Sequence, residues 1–173
     1  LLTQSTRALR LARELALSAD SSTIAQLLAR HVGEIAGSGP TAVYLLGAGR
    51  APLQAAASGF LARQPLGPPR VVARCFEEGR LVAAAAGDVA ELAGYGVSCR
   101  EAFAAPISAG GEIFGALLVG VPTGAPVGIH PSLLVTATEL AGASLANARR
   151  LALTHAEARR DPLTDLGNHR AFQ

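Results

Sequence analysis

Two cysteines and four histidines are the side chains of this sequence that most readily serve a reactive or metal site. Cys75 and Cys99 are too far apart in the chain to form a CxxC motif or a zinc-ligand pair by spacing. Isolated cysteines are usually buried and inert, and no flanking residue indicates a lowered thiol pKa. We therefore interpret both thiols as core groups, with a redox pair, or a reactive thiol at Cys75, as the alternative.

The histidines show no arrangement typical of a metal or haem site. His31 falls on the apolar face of a predicted helix, where a core or interface histidine is expected. His130, His155 and His169 have no ligand spacing with one another or with a carboxylate. We expect neither a metal nor a cofactor.

Two further local patterns lack the geometry of the motifs that they suggest. Glu77 and Glu78 are adjacent on a predicted helix, so their carboxylates point in different directions and do not form an acid/base pair. The segment 47–50, Gly-Ala-Gly-Arg, lacks a third glycine and a following long helix. It is interpreted as a hairpin turn rather than a phosphate cradle.

Composition predicts an ordered domain with a substantial core. The 173 residues are 50% hydrophobic and 16% charged, and the net charge of +2 is too small and too evenly spread for a nucleic-acid surface. No apolar run reaches the roughly 18 residues of a membrane span, so no membrane contact is expected in this fragment. Reduced cysteines and these features favour a cytoplasmic location. The sequence has no Met, so we expect residues upstream of Leu1.

Two helices are predicted at the start of the chain. Residues 1–18 have helical propensity and an irregular leucine stripe. The second helix has several candidate N-caps in 20–23 and ends at the Gly/Pro segment 37–40. Its apolar side chains recur with helical spacing, which predicts one buried face. These are Ile24, Leu27, Leu28, His31, Val32 and Ile35.

The middle of the chain alternates short β-rich runs with turn signals. The predicted strands are 41–46, 53–58, 80–85, 101–107 and 112–121. Short helices are predicted over 71–78, with Gly79 as its C-cap, and over 89–93, after a turn at Gly87-Asp88. Strands adjacent in sequence are expected to pair, the last two through 108–111. The fold class is therefore α+β with a mainly antiparallel sheet.

A long helix over 131–160 closes the pattern. It begins at Pro131, a favoured first helical residue, and has a length of about 45 Å at the standard rise. A domain of this size rarely needs such a helix, so its far end should leave the domain. The predicted organisation is an N-terminal helix (1–18), a domain (19–150) that shares the long helix (131–160), and a further segment (161–173).

The last segment resembles the start of a known catalytic domain. Asp161 is a suitable N-cap and Pro162 a suitable first residue for a new helix. The pattern Asp-Pro-Leu-Thr-x-Leu-x-Asn-x-Arg-x-x-Phe is similar to the opening of GGDEF domains, the catalytic domains of diguanylate cyclases. The resemblance implies that Asp161 and Thr164 shape the turn that fixes this domain to its input helix, and that Asn168 contacts the guanine of GTP. Leu163 is a further residue of the motif. The family's active-site loop is not in this sequence, so we do not expect the fragment to be an enzyme.

The upstream residues, from about 20 to 155, resemble a GAF domain. Ala105-Pro106-Ile107, a Gly-Gly turn and the run 113–119 are similar to its late strands, and 76–82 with Asp88 to its central helix and next strand. The resemblance implies a small-molecule pocket between the sheet, the central helix and the loops, and a homodimer formed through the first and last helices. The polar groups that it places near such a pocket are Arg74, Cys75, Tyr95, Ser98 and Arg100.

The long helix has a heptad pattern that permits such a dimer. Condensing two GTP requires two facing catalytic domains, so the linker helices of a homodimer should be parallel. The predicted seam consists of Leu134, Ala141 and Ala148 with Thr138, Leu145 and Ala152. Alternatively, these residues pack against the first helix and the sheet of their own chain.

Together, the resemblances imply the sensory GAF domain of a bacterial diguanylate cyclase, which signals through cyclic di-GMP. Two alternatives stay open. One is a GAF domain that binds no ligand and only dimerises. The other is a thiol redox enzyme of the free methionine sulfoxide reductase type, whose stand-alone architecture conflicts with the motif at Asp161.

Overall fold

The computed structural model describes residues 2–59, 67–126 and 128–160, which form one antiparallel sheet with helices on both faces. The sheet order is β2-β1-β5-β4-β3, and every strand pair is antiparallel. The predicted α+β class is confirmed. The elements are α1 (Leu2–Ala16), α2 (Ser21–Ile35), β1 (Thr41–Leu46), β2 (Pro52–Ser58), α3 (Arg70–Glu78), β3 (Val82–Ala83), α4 (Ala86–Gly94), β4 (Cys99–Ala109), β5 (Glu112–Pro122) and α5 (Pro131–Arg159).

The first two helices follow their sequence signals closely. The carboxylate of Asp20 accepts a hydrogen bond from the backbone N–H of Thr23 at 2.9 Å, which caps α2. The predicted face of α2 is buried, except that Leu27 is half-buried. In α1 the irregular stripe divides: Leu11 and Leu15 enter the core, whereas Leu9 and Leu17 are 77% and 81% exposed.

The sheet is buried on both faces because alternate residues of its strands point to two separate cores. The core on one face, here called the α5-side core, contains Val43 and Leu117 with residues of α1, α2 and α5. The core on the other face, the α3-side core, contains Tyr44 and Leu118 with residues of α3 and α4. The continuous apolar run of β5 is explained by this double burial.

The hairpin of β4 and β5 combines a tight turn with a bulge. Gly110 and Gly111 have φ values of 59° and 81°, as a two-residue type I′ turn requires, so the strands extend further toward the turn than predicted. The register shifts where Ile107 pairs with Gly115 and the next residue pairs with Ile113. Phe114 is therefore an extra residue, and its ring packs against the α5-side core.

The region 80–94 differs from the prediction. The strand predicted over 80–85 is only Val82–Ala83, and the predicted turn at Gly87-Asp88 lies inside α4. The Asp88 carboxylate accepts a hydrogen bond from the N–H of Ala85 at 2.8 Å, so it satisfies a donor at the helix start. Taken alone, the Gly-Asp pair predicts a loop turn, but in the structure it forms part of the first turn of helix α4.

Helix α5 crosses β4 at very short range. A Cβ atom at Gly142 would overlap the backbone C=O of Ser108, so only glycine fits at the crossing. Burial along α5 continues to Ala148, and every residue from 149 to 160 is exposed. The last three turns of the helix, about 16 Å, therefore lie outside the buried core. Among the described helices, none is both long enough and apolar enough to cross a membrane.

The predicted dimer seam of α5 needs correction, because most of its side chains are buried in the core of their own chain. Leu134 and Ala141 are fully buried, and Leu145 and Ala148 are 6% and 8% exposed. All four belong to the α5-side core. Their heptad spacing arises because this face of α5 packs against α1, α2 and the sheet of its own chain, and not against a second copy. The alternative of packing within the chain is the one that describes the structure.

Gly142→Ala should destabilise the protein because the added methyl group meets backbone atoms of β4 that cannot rotate away. We expect a loss of about 1–3 kcal/mol in the free energy of unfolding, measured by urea denaturation. Gly94→Ala is the matched control, since a methyl group on Gly94 would have no neighbour within 4 Å and the φ of this residue is not positive. That variant should lose nothing and gain up to about 1 kcal/mol. Equal stability of the two variants would contradict the close contact.

Candidate functional site

The polar groups predicted to surround a pocket do not converge on one. Arg74 is half-buried, and its guanidinium donates to the Asp88 carboxylate at 2.9 Å and to the Ala83 carbonyl at 3.0 Å. It therefore joins α3 to β3 and to the start of α4. Cys75, the next residue, is fully buried in the α3-side core.

The other three predicted residues lie further along the chain, and each has different surroundings. Tyr95 is half-buried against the α3-side core, and Ser98 is exposed. Arg100 donates to the carbonyl of Ala125 at 2.9 Å and lies 3.7 Å from the Glu101 carboxylate. None of the five lines either of the two clefts described below, so a ligand role for them stays a prediction.

The space implied by the GAF resemblance, between the sheet and α3, is largely filled by apolar side chains. Tyr44 is 1% exposed and lies in the same layer as Cys75, Leu92 and Leu118. A smaller opening of about 370 Å³, here called the α3 cleft, lies at the edge of this layer. It is lined by Leu46, Arg50, Pro52, Pro68, Ala73, Phe76 and Ile113.

A larger concavity of about 900 Å³, here called the basal groove, lies beside the point where α5 leaves the sheet. Four parts of the chain form it: the start of α2, the β1–β2 hairpin, the start of β5 and the α5 segment 145–152. Its residues are Ala19, Asp20, Ser21, Leu45, Leu46, Gly47, Ala48, Arg50, Leu53, Ala55, Glu112, Ile113, Phe114, Leu145, Ala148, Arg149 and Ala152. The size falls within the range of small-molecule sites.

Of the four charged side chains of the basal groove, three already have partners. Arg149 and Glu112 form an ion pair of 2.6 Å between Nη1 and Oε1. Asp20 caps α2, and its hydrogen bonds to Thr23 lower the pKa of its carboxyl group. The guanidinium of Arg50 makes no hydrogen bond or ion pair with the described part of the chain. Arg50 also lines the α3 cleft, so its charge stands where the two openings meet.

The backbone of Arg50 is held in the left-handed region, with a φ of 57°. Its N–H donates to the carbonyl of Gly47 at 2.8 Å, and the N–H of Gly47 donates to the carbonyl of Ala51 at 3.1 Å. The hairpin-turn interpretation of 47–50 is confirmed. A left-handed conformation costs a residue with a Cβ about 1–2 kcal/mol, which the closed turn has to offset.

The two thiols lie in environments that suppress reactivity. Burial, and then the charge of Glu78, raises the pKa of Cys75 to about 12. Burial also raises the pKa of Cys99. Both are free cysteines. Because the thiolate is the nucleophile, neither is prepared for thiol chemistry near neutral pH.

His31 lies in a charged cluster between α1 and α2. Its Nε2 is 3.0 Å from the Glu14 carboxylate, and its ring is buried. Glu14 also accepts hydrogen bonds from Arg10 and Arg30, both at 2.9 Å. The bonds from His31 and then Arg10 lower the pKa of Glu14 from 4.5 to about 2. The cluster joins two helices and lines neither cleft. Within the described residues, no three His, Cys, Asp or Glu side chains are placed to hold a metal ion.

Comparison with known proteins identifies the fold. No protein-family model and no curated protein matches the sequence. Among solved structures, the GAF domain of a phosphoenolpyruvate-protein phosphotransferase from Coxiella burnetii has a TM-score of 0.70 at 13% identity, covering 88% of this chain and 98% of that one. The corresponding GAF domain from Acinetobacter has a TM-score of 0.66 at 19% identity, covering 86% and 95%.

A third similar structure is an enzyme, the free methionine-R-sulfoxide reductase from Neisseria meningitidis in complex with its substrate. Its TM-score is 0.68 at 15% identity, covering 86% of this chain and 91% of that one. At such identities the likeness defines the fold alone. The chain has the fold of a GAF domain.

Both thiols should be unreactive in the folded protein. We expect labelling by a disulfide reagent at pH 8 to proceed at least about tenfold more slowly than in urea, where both should react. This follows from their burial and raised pKa values, because only the thiolate attacks the reagent. Cys75→Ser and Cys99→Ser separate the two rates. Rapid native labelling of Cys75 would favour the redox alternative.

Protonation of Glu14 should destabilise the protein in acid. Its pKa is lowered in the folded state, so the stabilisation is complete above pH 4.5 and is lost as the pH falls toward 2. Urea denaturation at several pH values should show that Glu14→Gln removes part of this pH dependence. Glu139→Gln is the control, because Glu139 is exposed and has no ion pair within the described part of the chain. The same pH dependence in wild type and Glu14→Gln would contradict this role.

Proposed function

We propose that this chain is the sensory and regulatory domain of a diguanylate cyclase, and that α5 carries its signal to a GGDEF domain. The observation that carries the proposal is the form of α5. The GAF-type core holds the helix as far as Ala148, and 149–159 continue beyond the core with all side chains exposed. A helix that ended with the core would have no means of passing on a change.

The residues that follow α5 provide the direction of output. Asp161, Leu163, Thr164 and Asn168 match the opening of the GGDEF family and stand directly after the end of the helix in sequence. They lie outside the described residues, so this part of the proposal rests on the sequence resemblance. The proposed product is cyclic di-GMP, made by the GGDEF domain to which α5 would connect.

A homodimer is part of the proposal because two GTP molecules must be brought together. Large exposed leucines on the outer helices support it. Leu9 and Leu17 lie on and just after α1, and Leu151 and Leu153 lie on the free end of α5, with exposures from 43% to 81%. Exposed apolar side chains grouped on two adjacent helices favour an interaction surface. This surface replaces the predicted seam, in which every residue except the exposed Ala152 is buried within the chain.

A ligand-free dimerisation module is the second candidate function, and the filling of the α3-side core favours it. Tyr44, Leu92 and Leu118 occupy the layer where the resemblance implied a pocket. The thiol redox enzyme is the weaker alternative, because burial raises the pKa values of Cys75 and Cys99. The fold likeness to a sulfoxide reductase does not offset this.

The function is tested on the complete protein that the gene encodes. We expect its sequence beyond Gln173 to contain the GGDEF active-site loop, and the protein to make cyclic di-GMP from GTP and Mg²⁺. The double variant Leu9→Arg, Leu17→Arg should dissociate the dimer in sedimentation experiments and lower synthesis at least about tenfold, because an isolated catalytic domain holds one GTP. Thermal unfolding should stay cooperative.

Ala90→Arg is the control, since Ala90 is exposed and lies on α4, which packs on the α3-side core rather than beside α1 or α5. It should remain dimeric. Leu145→Arg is unsuitable as a dimer test because the side chain lies in the α5-side core. A downstream sequence with no GGDEF loop, or a complete protein without cyclase activity, would refute the proposal.

A further inference from the structure

We propose that the basal groove is a binding site for a small organic anion with an apolar body and one acidic group. The site is separate from the α3-side layer to which the resemblance directs a ligand. Every residue that lines it belongs to the described part of the chain. The binding claim is independent of the proposed function, and only its consequence for output rests on that function.

The walls of the groove suit an apolar body. Leu45, Leu53 and Phe114 contribute the sheet side, and Leu145 and Ala148 contribute the helix side. The bulge in β5 places Phe114 on this face of the sheet. In a regular strand Phe114 would share the opposite face with Ala116 and Leu118, but the extra residue shifts the alternation. A volume of about 900 Å³ accommodates a small ligand without displacement of the core.

The charges of the groove specify the acidic group. Glu112 neutralises Arg149, and Asp20 is engaged in capping α2. Arg50 is then the charged group of the groove that lacks a partner among the described residues. A guanidinium binds carboxylate and phosphate groups through paired hydrogen bonds. One unpaired cation beside an apolar wall matches a ligand with one anionic group.

The position of the groove links it to output. Leu145, Ala148, Arg149 and Ala152 form its helix wall, and they span the point at which α5 passes from buried to exposed. A ligand there adds contacts to the helix immediately before its free segment. If the proposed function holds, occupancy would change the freedom of the segment that leads to the catalytic domain.

Octanoate is a suitable probe because it has an apolar chain and one carboxylate. 1-Octanol is the control that has the same chain without the charge, and inorganic phosphate is the control that has charge without an apolar chain. Binding to the 173-residue chain is measured by calorimetry, and backbone amide shifts in NMR spectra locate the site. We expect octanoate to bind at least about tenfold more tightly than octanol, since a charged hydrogen bond is added. Phosphate alone should not bind measurably at about 10 mM, because one guanidinium without apolar contact gives little affinity. The shifts should lie in the four groove segments.

Three variants and one control separate the contributions. Arg50→Asn removes the charge while asparagine tolerates the left-handed backbone, so affinity for octanoate should fall about tenfold and that for octanol should not change. Arg50→Lys keeps the charge and should retain most of the affinity. Ala152→Trp fills the groove from an exposed position and should weaken both ligands. Arg13→Gln, on the exposed side of α1, should change nothing.

The proposal is overturned if octanoate fails to bind at millimolar concentration or binds equally well to Arg50→Asn. It is also overturned if the amide shifts are confined to 68–76, which line the α3 cleft but not the groove. Shifts of the groove amides on dilution alone would likewise overturn it, because the occupant would then be a second copy of the chain. Failure of cyclase activity in the complete protein would leave these results unchanged. The two proposals are therefore refuted by different measurements.

Discussion

The contact between α5 and β4 at Gly142 determines how the rest of the molecule is arranged. Because the helix lies against the carbonyl of Ser108, its buried face is fixed over the sheet from Leu134 to Ala148. The same contact sets where the helix leaves the core. The basal groove and the exposed last turns of α5 both lie at this exit point, where the burial of the helix ends.

Local signals in the sequence predicted the elements that depend on a few neighbouring residues. The helix cap within 20–23 and the paired glycines at 110 and 111 act over three or four positions. The structure has a cap in that segment, at Asp20, and a turn at the two glycines. The strand predicted over 80–85 depended on distant partners. The strand that forms is only Val82–Ala83, followed by one hydrogen bond from the N–H of Ala84 to the carbonyl of Ala102, because Asp88 starts α4 soon afterwards. Such tertiary contacts have no local signature.

The heptad pattern of α5 illustrates a different limit. Its spacing correctly indicated a buried face, but the pattern cannot distinguish burial within a chain from burial against a second copy. Small residues such as Ala141 suit either arrangement. In the structure this face belongs to the α5-side core, so the proposed dimer surface is placed on the exposed sides of α1 and α5.

The candidate site was the least predictable part. The resemblance directed attention to residues near α3, where Tyr44 and its neighbours fill the layer. The basal groove unites residues 20, 50, 112 and 149, which no sequence window contains together. Arg50 had one local signal, its place after Gly-x-Gly in a hairpin turn. That signal predicted the turn but not the unpaired charge.

Hydrogen exchange along α5 tests the central claim, that the core holds the helix to Ala148 and leaves the remainder free. The measurement is made on the monomeric chain, at a concentration where sedimentation shows no association. Amides from about 135 to 148 should exchange only with global unfolding, whereas those from 150 to 159 should exchange orders of magnitude faster. The transition should fall within one helical turn of Ala148. Uniform protection along the whole helix in the monomer, or early exchange at Gly142, would contradict the account.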